Sequence, residues 1–191
     1  VDDSSQYGTR STVSGSVGYR LTPQWRAVLS AGNSFKAPTF NDLYYPGYAN
    51  PHLKPERGQN VELALRWSAA GSSASLTAYQ NNVRDLIQFE CDANYNCAPQ
   101  NVAKARLRGV TIAGAMPLGP LRVDGNVDIA DPRNTSSDGL LARRAREHGA
   151  LKLSGAVLGV TAGVELLASG KRFDNAANSR VLPGYAVLNL Y

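Results

Sequence analysis

The sequence predicts an all-β protein, a segment of an antiparallel transmembrane β-barrel with about nine strands. Three observations carry that prediction. Apolar residues recur with period two through most of the chain. Many of the alternating runs reach ~9–12 residues, enough to cross a bilayer when tilted, whereas soluble strands average about five or six. Tight turns also alternate with long polar connections, the plan of an outer-membrane barrel with periplasmic turns and extracellular loops.

The first run, Val13 to Leu21, places apolar residues or glycine at odd positions and small or polar residues at even ones. Trp25, Ala27, Leu29 and Ala31 continue the pattern against Arg26, Val28, Ser30 and Gly32. Val61, Leu63, Leu65 and Trp67 alternate with Glu62, Ala64, Arg66 and Ser68. Leu121, Val123, Gly125, Val127 and Ile129 alternate with Arg122, Asp124, Asn126 and Asp128. Leu158 to Ala168 repeats it, with Leu167 as the exception. Such alternation puts the apolar side chains on one sheet face, and a helix would scatter Arg122, Asp124 and Asp128 among the aliphatics. Residues 73–90, 102–116 and 140–154 read as extended with ambiguous faces, and Gly109 is a candidate bulge between Leu107 and Val110. The tight turns are 21–24, 69–72 and 117–120, and the long connections are 37–57, 91–101, 131–139 and 172–183.

Bulk properties fit this reading. The 191 residues are 43% hydrophobic and 18% charged, an ordinary balance that excludes a disordered chain. Barrel strands give half their residues to a polar lumen, so their average hydropathy looks soluble. No run approaches the ~18–20 apolar residues of a membrane helix. The net charge of +5 is spread along the chain, with Arg143, Arg144 and Arg146 the one dense cluster. Without basic blocks interleaved with aromatics, no nucleic-acid partner is expected. Lumen or loop charge facing lipopolysaccharide or an anionic solute accounts for the excess. No basic or apolar leader opens the chain at Val1, and Leu188–Tyr191 ends within a strand pattern, so a longer parent protein is expected.

Cys91 and Cys97 flank a short polar stretch that a disulfide closes readily in an oxidising compartment. A metal site needs further soft ligands, and His52 and His148 are distant in sequence, so no metal is expected. Catalytic readings are weak as well. Asp2–Asp3 and Asp128/Asp131 read as solvated carboxylates, and His148 with Ser154 is a pair without a supporting third group. The 131–139 stretch is oxygen-rich but lacks the acidic spacing of a calcium loop. Neither an enzyme nor a cofactor is expected.

The stretch Asn33-Ser34-Phe35-Lys36-Ala37-Pro38-Thr39-Phe40-Asn41-Asp42-Leu43-Tyr44, followed by Asn50-Pro51-His52-Leu53-Lys54-Pro55-Glu56, resembles the barrel signature of TonB-dependent receptors. Further matching words run through Tyr79–Ile87, Asn101–Val110, Leu140–Ala145, Gly170–Asp174 and Leu182–Tyr185, in the order found in the cobalamin receptor subgroup. Gly109-Val110-Thr111 departs from the usual Gly-Val-Glu of the family. The resemblance implies that residues 1–191 are part of a 22-stranded barrel whose plug domain and TonB box are absent from this chain. It implies a bacterial outer-membrane location, uptake of a scarce solute such as cobalamin, and energy from TonB through the missing plug. A ferric-siderophore receptor and a small porin-like barrel are the alternatives. Ligand-binding candidates are Tyr44, Tyr45, Tyr48 and Asn50 in the 40–50 loop, with Tyr95 in the cysteine loop. Aromatic and amide groups suit a ligand with apolar faces and amide edges, as a corrinoid has, although tyrosine is also common in interfacial girdles. Trp25 and Trp67 read as membrane anchors.

Overall fold

The alternating runs pair antiparallel, almost entirely in chain order. The computed structural model describes residues 7–92, 96–157 and 159–191. Its strands are β1 (Ser14–Arg20), β2 (Trp25–Lys36), β3 (Glu56–Ala69), β4 (Ser72–Cys91), β5 (Cys97–Leu118), β6 (Leu121–Asn134), β7 (Glu147–Val157) and β8 (Val160–Ser169). A two-residue hairpin of β9 (Arg172–Phe173) and β10 (Val181–Leu182) precedes β11 (Tyr185–Leu190). One nine-stranded sheet runs β1 through β8 and then β11. Among the described residues, β1 and β11 have a neighbour on one side only, so the sheet does not close on itself. The one helix among the described residues, α1 (Phe40–Tyr44), is far too short to cross a membrane.

Register turns the sequence pattern into two chemically different faces. Tyr19, Ala27, Leu65, Leu76, Ile112, Val127, Gly149, Ala168 and Ala186 form one row across all nine strands. Above it run Val17, Leu29, Leu63, Ala78, Val110 and Ile129. Below it Trp25 stands directly opposite Trp67, followed by Ala74, Gly114, Gly125, Leu151, Leu166 and Leu188. The opposite face carries the row Thr77, Thr111, Asp128, His148, Ser169 and Tyr185. Ile112 is 57% exposed and Leu151 53%, so the apolar face is not a protein core. In water an apolar face of nine strands would drive aggregation. Against lipid it is the surface a barrel presents, with every interior backbone group satisfied by its neighbour strand.

The turns gather at one end and the loops at the other. At Ala70-Gly71 both central residues take positive φ (48° and 76°), the geometry of a two-residue hairpin whose twist matches its strands. At the loop end β4 and β5 have 20 and 22 residues. At ~3.3 Å per residue they far exceed an apolar band of ~25 Å and project beyond it.

Several expectations about boundaries need correction. The connection expected over 91–101 shrinks to 92–96, because β4 reaches Cys91 and β5 starts at Cys97. Residues 131–134 belong to β6, and 140–146, expected to be extended, form a loop. There Leu141, only 2% exposed, packs with Val83, Leu86, Ala105 and Leu107 into a buried apolar cluster. Gly109 is not a bulge, since pairing runs unbroken from Arg108 through Val110. It is glycine because a Cβ there would meet the Ile129 carbonyl oxygen and the Tyr79 hydroxyl at 2.6 Å each. The break in pairing falls instead at Asp85, with φ 57°. It turns Leu86 onto the same cluster as Val83.

Candidate functional site

The 37–55 connection is an ordered structure tied onto the β4–β5 hairpin. Thr39 caps α1: its hydroxyl accepts from Asp42 N (3.2 Å), and the Asp42 carboxylate accepts from Thr39 N (2.8 Å). This reciprocal capping box fixes one helical turn and thereby the chain's exit at Tyr45. Leu43 and Leu53, 5% and 3% exposed, anchor the two halves of the loop. Asn101 then clasps it from β5. Its Oδ1 accepts from Lys54 N (2.8 Å), and its Nδ2 donates to the carbonyls of Lys54 (2.9 Å) and Asp85 (2.7 Å). Glu56 adds a bond accepted from Ile87 N (3.1 Å) and an ion pair with Lys36 (3.2 Å).

This tethering brings some candidate residues together and separates others. Tyr45 and Tyr48 lie 6.2 Å apart between ring centroids, and Tyr48 lies 6.0 Å from Phe89 of β4. With Asn41, Asp42 and Pro99 these rings line an open cleft of ≈ 470 Å³. A second cleft of ≈ 680 Å³ begins on the other side of Tyr48 and runs along the disulfide hairpin. Tyr44 points elsewhere, packing on Phe40 at 5.1 Å. Burial raises the Tyr7 phenol above its ordinary value, and the Tyr44 phenol beside it pushes the same way. Asn50 is committed to tying the loop to β5. Its amide donates to the Pro99 carbonyl (3.0 Å) and Gln100 Oε1 (3.3 Å) and accepts from His52 N (3.0 Å). Tyr95 lies outside the described residues. Cys91 and Cys97 are register partners joined by a disulfide (S–S 2.01 Å), which pins the hairpin that carries Phe89 and Pro99.

Phe89 and Pro99 do not stand out in the sequence. The signal that finds them is the cysteine pair itself: Cys91 opposite Cys97 across a hairpin puts Phe89 opposite Pro99. On the polar face, Thr111, where the family usually carries glutamate, donates to Asp128 at 2.6 Å, and Tyr79 donates to both oxygens of that carboxylate at 3.2 Å. The acid on this part of the wall comes from β6 rather than β5. The candidate catalytic pair does not assemble, because His148 and Ser154 are six positions apart along β7, about 20 Å. Asp131, in the oxygen-rich stretch, is held by Arg133 (2.9 Å) and Arg108 (3.2 Å).

An apolar outer face, a polar inner face, short turns at one end and long loops at the other define the wall of a bacterial outer-membrane β-barrel. More narrowly, the chain belongs to the family described as TonB dependent receptor-like, beta-barrel, whose model matches residues 1–191. That family consists of outer-membrane receptors and transporters, not enzymes. The chain is 31% identical over 194 residues to the Vitamin B12 transporter BtuB of Photobacterium profundum, covering 100% of this chain and 32% of that protein. It is 33% identical over 148 residues to BtuB of Vibrio vulnificus, covering 77% and 24%. It therefore spans a third or less of the curated relatives it matches. Among solved structures, a variant of the ferric enterobactin receptor PfeA from Pseudomonas aeruginosa superposes with a TM-score of 0.74 at 20% identity, over 97% of this chain and 32% of that one. Copper transporter OprC gives 0.71 at 19%, over 93% and 30%. At these identities the structural likeness establishes the fold alone.

Proposed function

We propose that residues 1–191 are part of the barrel domain of an outer-membrane receptor-transporter that captures cobalamin at its loop end. The observation that carries this reading is the tethered aromatic cleft of Tyr45, Tyr48, Phe89 and Pro99, held in place by Asn101 and the disulfide. A preformed apolar cleft fringed by amides and carboxylates suits a large solute with apolar faces and amide edges. The proteins named Vitamin B12 transporter among its relatives support the choice of solute. The apolar rows contact outer-membrane lipid, including lipopolysaccharide. The polar face meets a plug domain, through which TonB energises release into the periplasm.

Uptake in living cells tests the proposal. The full-length parent, expressed in bacteria lacking their own cobalamin receptor, is expected to restore accumulation of labelled cyanocobalamin only when TonB is present. Tyr45→Ser with Tyr48→Ser is expected to reduce uptake at low external concentration while leaving the amount of folded protein unchanged. Uptake that ignores both tyrosines overturns the assignment of the cleft, and uptake independent of TonB overturns the mechanism.

A further inference from the structure

Three rings at the loop end keep open faces. Tyr45, Tyr48 and Phe89 remain 53%, 52% and 50% exposed although each lies within 6.2 Å of the next. Their planes meet at 35° and 48°, so they spread as a concave fan instead of stacking on one another. Pro99, which completes the cleft, lies an even number of residues from Thr111 along β5 and so shares its polar face. Phe89 is the register partner of Pro99. The fan therefore belongs to the inner face of the wall, where an aromatic girdle against lipid has no place. Its lining contains no cation, and its one carboxylate, Asp42, is held by the backbone and hydroxyl of Thr39.

The size and shape of the cleft select one part of a corrinoid. At ≈ 470 Å³ it lies low in the ~300–1,000 Å³ range of ligand pockets. The corrin macrocycle carries methyl groups and amide arms on both faces, which hold a flanking ring away. The nucleotide tail, in contrast, ends in a flat aromatic base whose faces are open to tilted or offset ring contacts. We infer that the fan holds this base, and that Tyr48 makes the protein selective for corrinoids that carry one. The inference deepens the cobalamin reading and rests on it. Tyr48 also borders the second cleft, where Glu90 has no ion-pair partner among the described residues. The ribose that follows the base in the tail has hydroxyl groups to donate to such a carboxylate, so the two clefts on either side of Tyr48 take adjoining parts of one tail. The disulfide fixes the spacing between them, because it joins the strands that carry Phe89 and Glu90 on one side and Pro99 on the other.

Calorimetric titration of the full-length, detergent-solubilised parent with two ligands tests this. Cyanocobalamin carries the nucleotide tail, and dicyanocobinamide is the same macrocycle without it. One ring contact is worth roughly 2- to 13-fold in affinity, so the parent is expected to bind cyanocobalamin about tenfold more tightly than dicyanocobinamide. Tyr48→Ser is expected to weaken cyanocobalamin by about that factor and to leave dicyanocobinamide unchanged, erasing the preference. Tyr48→Phe, which keeps the ring, is expected to retain it. Phe89→Leu, on the pinned hairpin, is expected to show the same selective loss and serves if Tyr48→Ser loosens the loop. Equal affinity of the parent for the two ligands, or an equal loss of both in Tyr48→Ser, overturns the inference while leaving cobalamin as the solute. Failure of the parent to bind either ligand overturns the solute assignment and this inference with it.

Discussion

Replacing Val127 with arginine, and separately its neighbour Asn126, tests the two-faced wall at adjacent positions of one strand. Val127 is 50% exposed and stands in the apolar row between Ile112 and Gly149, while Asn126 faces the other way between Ala113 and Ala150. The apolar positions of β6 run from Leu121 to Ile129, about 26 Å along the strand, so Val127 lies about 7 Å from their centre. An arginine on the lipid face costs about 2–4 kcal/mol at the midplane and falls toward zero at the interfaces. A value of about 2–3 kcal/mol is expected for Val127→Arg, or roughly a 30- to 150-fold loss in the folded-to-unfolded ratio. Leu121→Arg, at the turn end, is expected to cost about 1 kcal/mol or less. Asn126→Arg is expected to be nearly neutral, because its guanidinium reaches water in the lumen. Denaturant titration of the full-length parent refolded into lipid vesicles provides the comparison. Similar costs at 126 and 127, or no dependence on depth between 121 and 127, would refute the assignment of faces.

Two further outcomes follow from close contacts. Gly109→Ala is expected to destabilise the barrel by about 1–3 kcal/mol through crowding against the Ile129 carbonyl and Tyr79, read as a lower denaturant midpoint; an unchanged midpoint would contradict the packing. Asn101→Ala removes three hydrogen bonds that clasp the 37–55 loop, each worth about 0.5–1.5 kcal/mol. It is expected to speed proteolysis within 45–55 and amide exchange at Lys54 without altering global unfolding, and unchanged cleavage would show that the clasp does not hold the loop.

The wall is legible in the sequence where one face is strictly apolar. Leu121–Ile129 and Val61–Trp67 need only their period to be placed, because a one-residue slip would move every side chain to the wrong face. The loop end is less readable. Residues 97–101 (Cys-Ala-Pro-Gln-Asn) and 131–134 (Asp-Pro-Arg-Asn) lie beyond the apolar rows and keep no apolar face, so alternation vanishes although pairing continues. Leu141 looks like part of a strand because a buried loop leucine and a strand leucine are alike in sequence. Gly109 looks like a bulge because sequence does not show that Tyr79 lies across it. Within the candidate site, the tyrosines of the 40–50 loop are visible as a composition bias. Their division, with Tyr45 and Tyr48 in the cleft and Tyr44 on Phe40, depends on where α1 ends. Thr39 and Asp42 carry that signal in their capping spacing. Asn50 is a candidate for its amide, but that amide holds the loop to Pro99 and Gln100.

Whether the loop end captures cobalamin is decided by calorimetric titration of cyanocobalamin into the full-length, detergent-solubilised parent, with a ferric siderophore as the comparison. Saturable cobalamin binding that weakens in the Tyr45→Ser/Tyr48→Ser variant, with no heat from the siderophore, is the predicted result. Siderophore binding without cobalamin binding would contradict the choice of solute while leaving the barrel wall intact.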